Sequence, residues 1–447
     1  MKKNALIIPA NIRSHVLPSL YLADLLADDY NIHYEVVNGV TDEIVKANGY
    51  NTILSSDLRI GYGMEASLMT EQKQNFSFWK FLNLYRNNEV YKRRKSELDK
   101  IINTLKPSIV IIDLFSCTDF WALYPRHQEF KLLFFNPMPS TYRVKGFPIV
   151  SDGHWLKDEK ISVAKSHELK FKHWVQNPKK ALIQWVAAKQ HPDLQSIAPD
   201  YPIATDRTVT LIIANVPELL LAPINFEFSP AICKPNQYYL GLCQRENRKD
   251  TELDADFNEK WALITQQKQA GKRIIYCSFG TYYEGPDRKL LDFITLLLDT
   301  IQSIPDVVLV CSVNRFVIEF INAQFKNLDS VLLFTRVPQM QVLSVADLFI
   351  THGGFGSIKE AIYYEVPMLV YPLDLNYDQN GNGLKVAYHG LGLRGVFGFE
   401  RPNDMKNKIM QLLNNEDFKT KIRLFNQLAT QQYTVKKLKE TLNSLLT

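Results

Sequence analysis

The chain has 447 residues, too many for one ordinary domain and natural for two. Apolar residues make up 46% of it, enough for two cores, and a formal charge of +5 is too small at this length to mark a nucleic-acid-binding protein. Five scattered cysteines with no CxxC pair argue against a disulfide framework or a zinc site and suit a reducing cytoplasm, where we expect the protein to reside.

From the N-terminus onward, short apolar runs alternate with longer amphipathic stretches, the pattern of α/β units with parallel strands. The apolar run Ala5–Ile8 is too short for the core of a signal peptide. No window reaches the roughly 20 apolar residues of a membrane span. Strands are expected at Asn4–Ile8, Ile32–Val37, Ile109–Asp113, Leu132–Asn136 and Leu211–Ala214 in the first half. In the second half they are expected at Ile274–Phe279, Val307–Ser312, Val331–Thr335, Leu348–Thr351 and Met368–Pro372. The polar segment 241–256 between the two sets reads as a linker. The expected organisation is therefore an N-terminal domain over 1–240, a linker over 241–256, a C-terminal domain over 257–425 and a final helix over 426–447 that packs back on the first domain. Two such doubly wound domains facing each other would leave a cleft at the carboxyl ends of both sheets.

Within the first half, strand one ends at Pro9 and leads through Ser14-His15 into an amphipathic stretch, so His15 is placed to face the cleft. Asp113 ends the strand Ile109–Ile112, where local sequence alone reads it as a helix N-cap. From Ser140 to Gln190, Lys and Arg outnumber Asp and Glu and are interleaved with Phe147, Trp155, Phe171, Trp174 and Trp185. This is a surface helical insert, or a wall of a ligand pocket, or a contact to a membrane surface. Phe120, Trp121, Phe135, Met138, Tyr142 and Phe147 suggest a pocket for a lipophilic small molecule, or else core.

The most informative stretch is Phe349-Ile-Thr-His-Gly-Gly-Phe-Gly-Ser-Ile-Lys-Glu360. An apolar strand runs into a glycine-rich turn that opens a helix, so exposed N–H groups and the positive end of the helix dipole coincide and favour an anion. His352 adds a donor, and Gly353, Gly354 and Gly356 remove side chains that would hold a diphosphate away from the backbone. Locally, Ser357-Ile-Lys-Glu360 also satisfies the pattern of a capping box. Asp254-Ala-Asp256 has the form of a metal-binding pair, but its place before an amphipathic stretch suits helix-start carboxylates better, and no metal is expected.

Together with Ser278-Phe-Gly-Thr281, Arg336-Val-Pro-Gln339, Val366-Pro367 and Asp378-Gln379, this order closely resembles the family 1 glycosyltransferases, the UDP-glycosyltransferase superfamily with the GT-B fold. The tight match runs from Val337 to Gly398. The resemblance implies two Rossmann-like domains and a metal-independent, inverting hexosyl transfer, with no cofactor beyond a UDP-sugar or dTDP-sugar co-substrate. It implies that His352, Ser357, the backbone at Gly354 and Gly356, and the Ser278/Thr281 turn hold the donor diphosphate. Glu360 would take the ribose hydroxyls, Asp378 and Gln379 the transferred sugar, and Val337 and Gln339 would lie at the nucleobase. His15, oriented by Asp113, would be the general base. Two features depart from the family pattern: Ser14 stands where glycine is usual, and Arg336 stands where tryptophan stacks on the base. A nucleotide-sugar epimerase and a catalytically silent donor-binding partner are the alternative readings.

Overall fold

The computed structural model describes residues 2–37, 39–56, 78–153, 193–209, 211–280, 287–325, 330–375 and 378–446, and single positions at 155, 175, 178, 182, 185 and 186. The first sheet is wholly parallel, in the order β3-β2-β1-β4-β5-β6-β7. Its strands are β1 Lys3–Ile8, β2 Tyr30–Val36, β3 Asn51–Leu54, β4 Ile109–Asp113, β5 Lys131–Asn136, β6 Glu218–Leu220 and β7 Gln237–Tyr239. The second sheet, also parallel, runs β10-β9-β8-β11-β12-β13. It comprises β8 Arg273–Ser278, β9 Val307–Ser312, β10 Val331–Phe334, β11 Leu348–Thr351, β12 Met368–Val370 and β13 Gly392–Arg394. The central strands are β-branched and aliphatic runs buried on both faces, as parallel strands covered by helices must be.

The strand order locates the cleft. In the first sheet the winding reverses between β1 and β4, and in the second between β8 and β11. Helices on either side of such a switch point leave opposite faces of the sheet, which opens a crevice at the carboxyl ends of those two strands. The register keeps these ends level, with Ile8 beside Ile112 and Thr351 beside Ser278.

One expected strand is displaced. Leu211–Ala214 carries only an isolated bridge between Ile203 and Ile213, and the sixth strand lies at Glu218–Leu220. Glu218, a charge at a strand start, is tolerated inside because Arg207 pairs with it in the buried interior.

Residues 240–256 connect the sheets without helix or strand. The lobes also meet through buried polar contacts. Lys385 Nζ pairs with Glu227 at 2.5 Å, and Lys359 Nζ donates to the Leu221 carbonyl at 2.6 Å. Gly381 lies so close to the Val150 carbonyl that a Cβ there would come within 2.1 Å of its oxygen. The last helix, Val435–Leu446, buries Leu438 and Leu442 in the core of the first lobe. No helix among the described residues is long and apolar enough to cross a membrane.

Candidate active site

The helix after β1, Arg13–Leu26, carries His15 in its first turn. His15 Nδ1 lies 2.9 Å from Asp113 Oδ2, and both side chains are buried. A carboxylate accepts, so Nδ1 carries the proton and Nε2 is left as the acceptor. The second Asp113 oxygen accepts from the Phe115 N–H at 2.8 Å, so Asp113 caps the following turn and orients the imidazole at once. Phe115 packs its ring 4.7 Å from that of His15, fixing the imidazole from the side.

Across the cleft, β11 ends at Thr351 and the helix Phe355–Tyr363 starts after the glycine turn. Its N-cap is Gly354, which places Ser357 one turn inside and excludes the capping box. The Ser357 hydroxyl and Glu360 carboxylate are used elsewhere. Gln339 Nε2 donates to Ser357 Oγ at 3.1 Å and to Glu360 Oε2 at 2.7 Å, while Tyr276 donates to Gln339 Oε1 at 3.3 Å. Arg248 takes the other Glu360 oxygen at 2.5 Å.

The His352 ring lies between two glycines. A Cβ on Gly354 would sit 2.6 Å from His352 Nε2, and one on Gly280 would sit 3.1 Å from Cε1. Its Nδ1 is buried without a hydrogen-bond partner among the described residues. Burial pushes its pKa down to about 4, with the Ser278 backbone acting weakly the other way, so the ring is neutral at neutral pH. It can donate one N–H to an anion but brings no charge.

Asp378 begins the helix Asp378–Tyr388, and its carboxylate accepts from Asn382 Nδ2 at 2.9 Å. Burial raises its pKa, while Asn382 and the field of His15 favour the charged form. The carboxylate of one lobe thus feels the imidazole of the other. Gln379 Oε1 accepts from the Leu373 and Asp374 N–H groups at 3.0 Å each, which closes the preceding turn and leaves the amide nitrogen to donate to a ligand.

One cleft of about 850 Å³ is lined by His15, Ser278, Val337, Gln339, His352, Gly354, Gly356, Ser357, Glu360, Asp378 and Gln379. Asp113 stands behind His15 and does not line it. Thr281 lies outside the described residues. Arg248 and Tyr276, which sequence reasoning did not single out, line the cleft as well. Arg248 was hidden in a charged connector 112 positions from its partner, and Tyr276 looked like an ordinary strand aromatic.

The expected aromatic wall is smaller than its sequence suggested. Phe120, Trp121 and Phe135 are core residues, fully enclosed beneath the first sheet's helices. Tyr142 is stacked under Arg207, 3.5 Å from the ring centroid. Phe115, Pro137 and Met138 remain at the cleft, beside Ile12 and Leu17. Trp155 stacks on Tyr388 of the second lobe, and most of the basic insert, with Phe171 and Trp174, lies outside the described residues. Asp254 is spent on the N–H and hydroxyl of Thr335, both at 2.8 Å, as a structural carboxylate.

Comparison with known proteins places this arrangement. Residues 168–439 match the family described as UDP-glucoronosyl and UDP-glucosyl transferase. The chain belongs to this family. Among family relatives, the uncharacterised UDP-glucosyltransferase YdhE of Bacillus subtilis is 24% identical over 177 residues, covering 39% of this chain and 42% of that protein. Zeaxanthin glucosyltransferase of Pantoea ananas is 37% identical over 84 residues, 19% of each chain. The matched segments thus span less than half the length of these curated relatives. Among solved structures, the glycosyltransferase of kitacinnamycin aligns over 100% of this chain and 99% of its own with a TM-score of 0.70 at 16% identity. A UDP-glucosyltransferase from Polygonum tinctorium aligns over 100% and 99% with a TM-score of 0.64 at 13% identity. The fold is therefore GT-B.

Proposed function

We propose that this chain is an inverting, metal-independent hexosyltransferase that moves a sugar from a nucleotide sugar, a UDP-sugar in the first instance, to a hydroxyl of a lipophilic small molecule. Family membership supports a nucleotide-sugar donor. The observation that carries the reading is one cleft with an Asp-held imidazole on one wall and a glycine turn at a helix N-terminus on the other.

The donor diphosphate lies on the amides of the Gly354–Ser357 turn with His352 donating to it, and Glu360 takes the ribose. Asp378 and Gln379 hold the hexose, while Val337 and Gln339 flank the base. His15 Nε2 removes the acceptor's hydroxyl proton as the oxygen forms its bond to the anomeric carbon. The bond from that carbon to the diphosphate oxygen breaks on the opposite side, and the electron pair leaves with the nucleotide. Asp113 stabilises the imidazolium that results. Charge appearing on the diphosphate meets fixed N–H dipoles, which stabilise it without a cation. Attack opposite to departure inverts the anomeric centre.

Acceptor binding is assigned to residues 1–240 and donor binding to 257–425. The apolar side chains of Ile12, Leu17, Phe115 and Met138 support a lipophilic acceptor. So does a relative named as a zeaxanthin glucosyltransferase. The test is an acceptor panel incubated with UDP-hexoses and read by mass spectrometry. Glycoside that forms with wild type and not with His15→Ala supports the proposal. An altered sugar nucleotide formed without acceptor would point instead to epimerisation, and donor binding with no product to a silent partner.

A further inference from the structure

The geometry points to Arg248 as a positioning residue for the donor's ribose, one that makes the site select a ribonucleoside over a 2′-deoxyribonucleoside diphosphate; this rests on the reading of the cleft given above. A carboxylate has two lone-pair positions on each oxygen. On Glu360 one position of Oε1 is taken by Arg248 Nη1 at 2.5 Å and one of Oε2 by Gln339 Nε2 at 2.7 Å. What remains is one acceptor position on each oxygen, side by side. That complements two neighbouring hydroxyl donors, the 2′ and 3′ groups of ribose. A deoxyribose supplies only one and leaves a desolvated carboxylate oxygen short of a donor.

The carboxylate is held so that it cannot turn to make do with one hydroxyl. Arg248 is anchored at its other side by Asp250, whose Oδ1 accepts from Nε at 2.9 Å. Only 9% of the Arg248 side chain is exposed. The backbone that carries it is fastened to the first lobe, with Lys249 N–H donating to Asn48 Oδ1 at 2.9 Å and Asn48 Nδ2 donating to the Lys249 carbonyl at 3.0 Å. Gln339 is fixed on the opposite side by Tyr276 and Ser357. Since Arg248 comes from the connector, the ribose site is completed by a residue outside the second lobe.

The experiment is calorimetric titration of the whole protein with UDP and with 2′-deoxy-UDP, which carry the same charge. The wild type should bind UDP about 10-fold more tightly than the deoxy ligand, the scale of one charge-assisted hydrogen bond. Two variants are compared: Arg248→Gln with Asp250→Asn, which leaves net charge unchanged, and Arg248→Lys. In the first, UDP should weaken about 10-fold and 2′-deoxy-UDP less than about 3-fold, so that the preference collapses; the lysine should restore part of it. Equal losses for both ligands, unchanged preference, or tighter UDP binding (an arginine that blocks ribose) would each overturn the inference. If the paired variant does not fold, the lysine variant decides by the same ratio. A wild type that binds both ligands equally overturns the inference alone, whereas one that binds neither overturns the proposed function too.

Discussion

The two lobes use the same local device, a strand ending in a short turn that carries a histidine at or just before the start of a helix, and they make opposite uses of it. In the first lobe His15 sits against the buried carboxylate of Asp113, which sets its tautomer and can stabilise a proton gained by the ring. In the second, His352 has no carboxylate partner among the described residues, is enclosed by two glycines, and is held neutral by burial. One imidazole has a buried carboxylate beside it, and the other has only its enclosure. A group that takes up a proton needs a counter-charge, whereas a donor aimed at an anion needs only a fixed dipole.

The sharpest way to break this comparison is to remove each partner. His15→Ala should lower turnover about 10³-fold while nucleotide affinity, read by calorimetry, stays within about 2-fold. The converse substitution, His352→Ala, should weaken nucleotide binding and leave the His15–Asp113 pair untouched. If both variants lost affinity and rate alike, the division of labour would be wrong.

A second effect tests how the two histidines come to share a cleft. Lys385→Met leaves Glu227 as a buried carboxylate without its cation, which should cost about 3 kcal/mol in denaturant unfolding. Glu227→Gln in the same chain should recover much of it. A loss below about 0.5 kcal/mol in the single variant would show that the ion pair does not hold the lobes together.

Next in size is Gly354→Ala. Gly354 has φ −60° and ψ 132°, which alanine adopts freely, so any effect comes from the Cβ driven into the His352 ring. Nucleotide affinity should fall about 10-fold, on the scale of a lost charge-assisted hydrogen bond. The last effect is a pH dependence. The folded His352 pKa of about 4 lies below its ordinary 6.5, so between those values the unfolded chain binds a proton that the folded chain refuses. Stability therefore rises with pH through that window, by at most about 1.4 kcal/mol per unit, and its contribution is lost as pH falls toward 4. Thermal unfolding of wild type and His352→Asn across the window should show the steeper slope in wild type.

Much of this was legible in the sequence, for reasons that can be named. Strands such as Ile109–Asp113 and Leu348–Thr351 are unbroken apolar runs, and glycines bunched after one of them announce a turn that ligands approach closely. The strands that escaped notice are three or four residues long, namely Asn51–Leu54, Glu218–Leu220, Gln237–Tyr239 and Gly392–Arg394. Each carries a polar or glycine residue that interrupts the apolar run. Gly392, for example, lies where a Cβ would come within 2.0 Å of the Met368 carbonyl oxygen. The histidines were visible as positions and their difference was not, because the charge state of His352 follows from enclosure that only the folded chain creates. Phe120 and Trp121 misled for the same reason, since an aromatic side chain reads alike whether it faces a core or a cleft.

The most direct test of the central claim is a crystal structure with a bound UDP-sugar. The account requires the diphosphate on the amides of Gly354–Ser357, about 3 Å from their nitrogens and from His352, with the anomeric carbon turned toward His15 Nε2. Nucleotide density away from that turn, or a His15 ring facing out of the shared cleft, would contradict it.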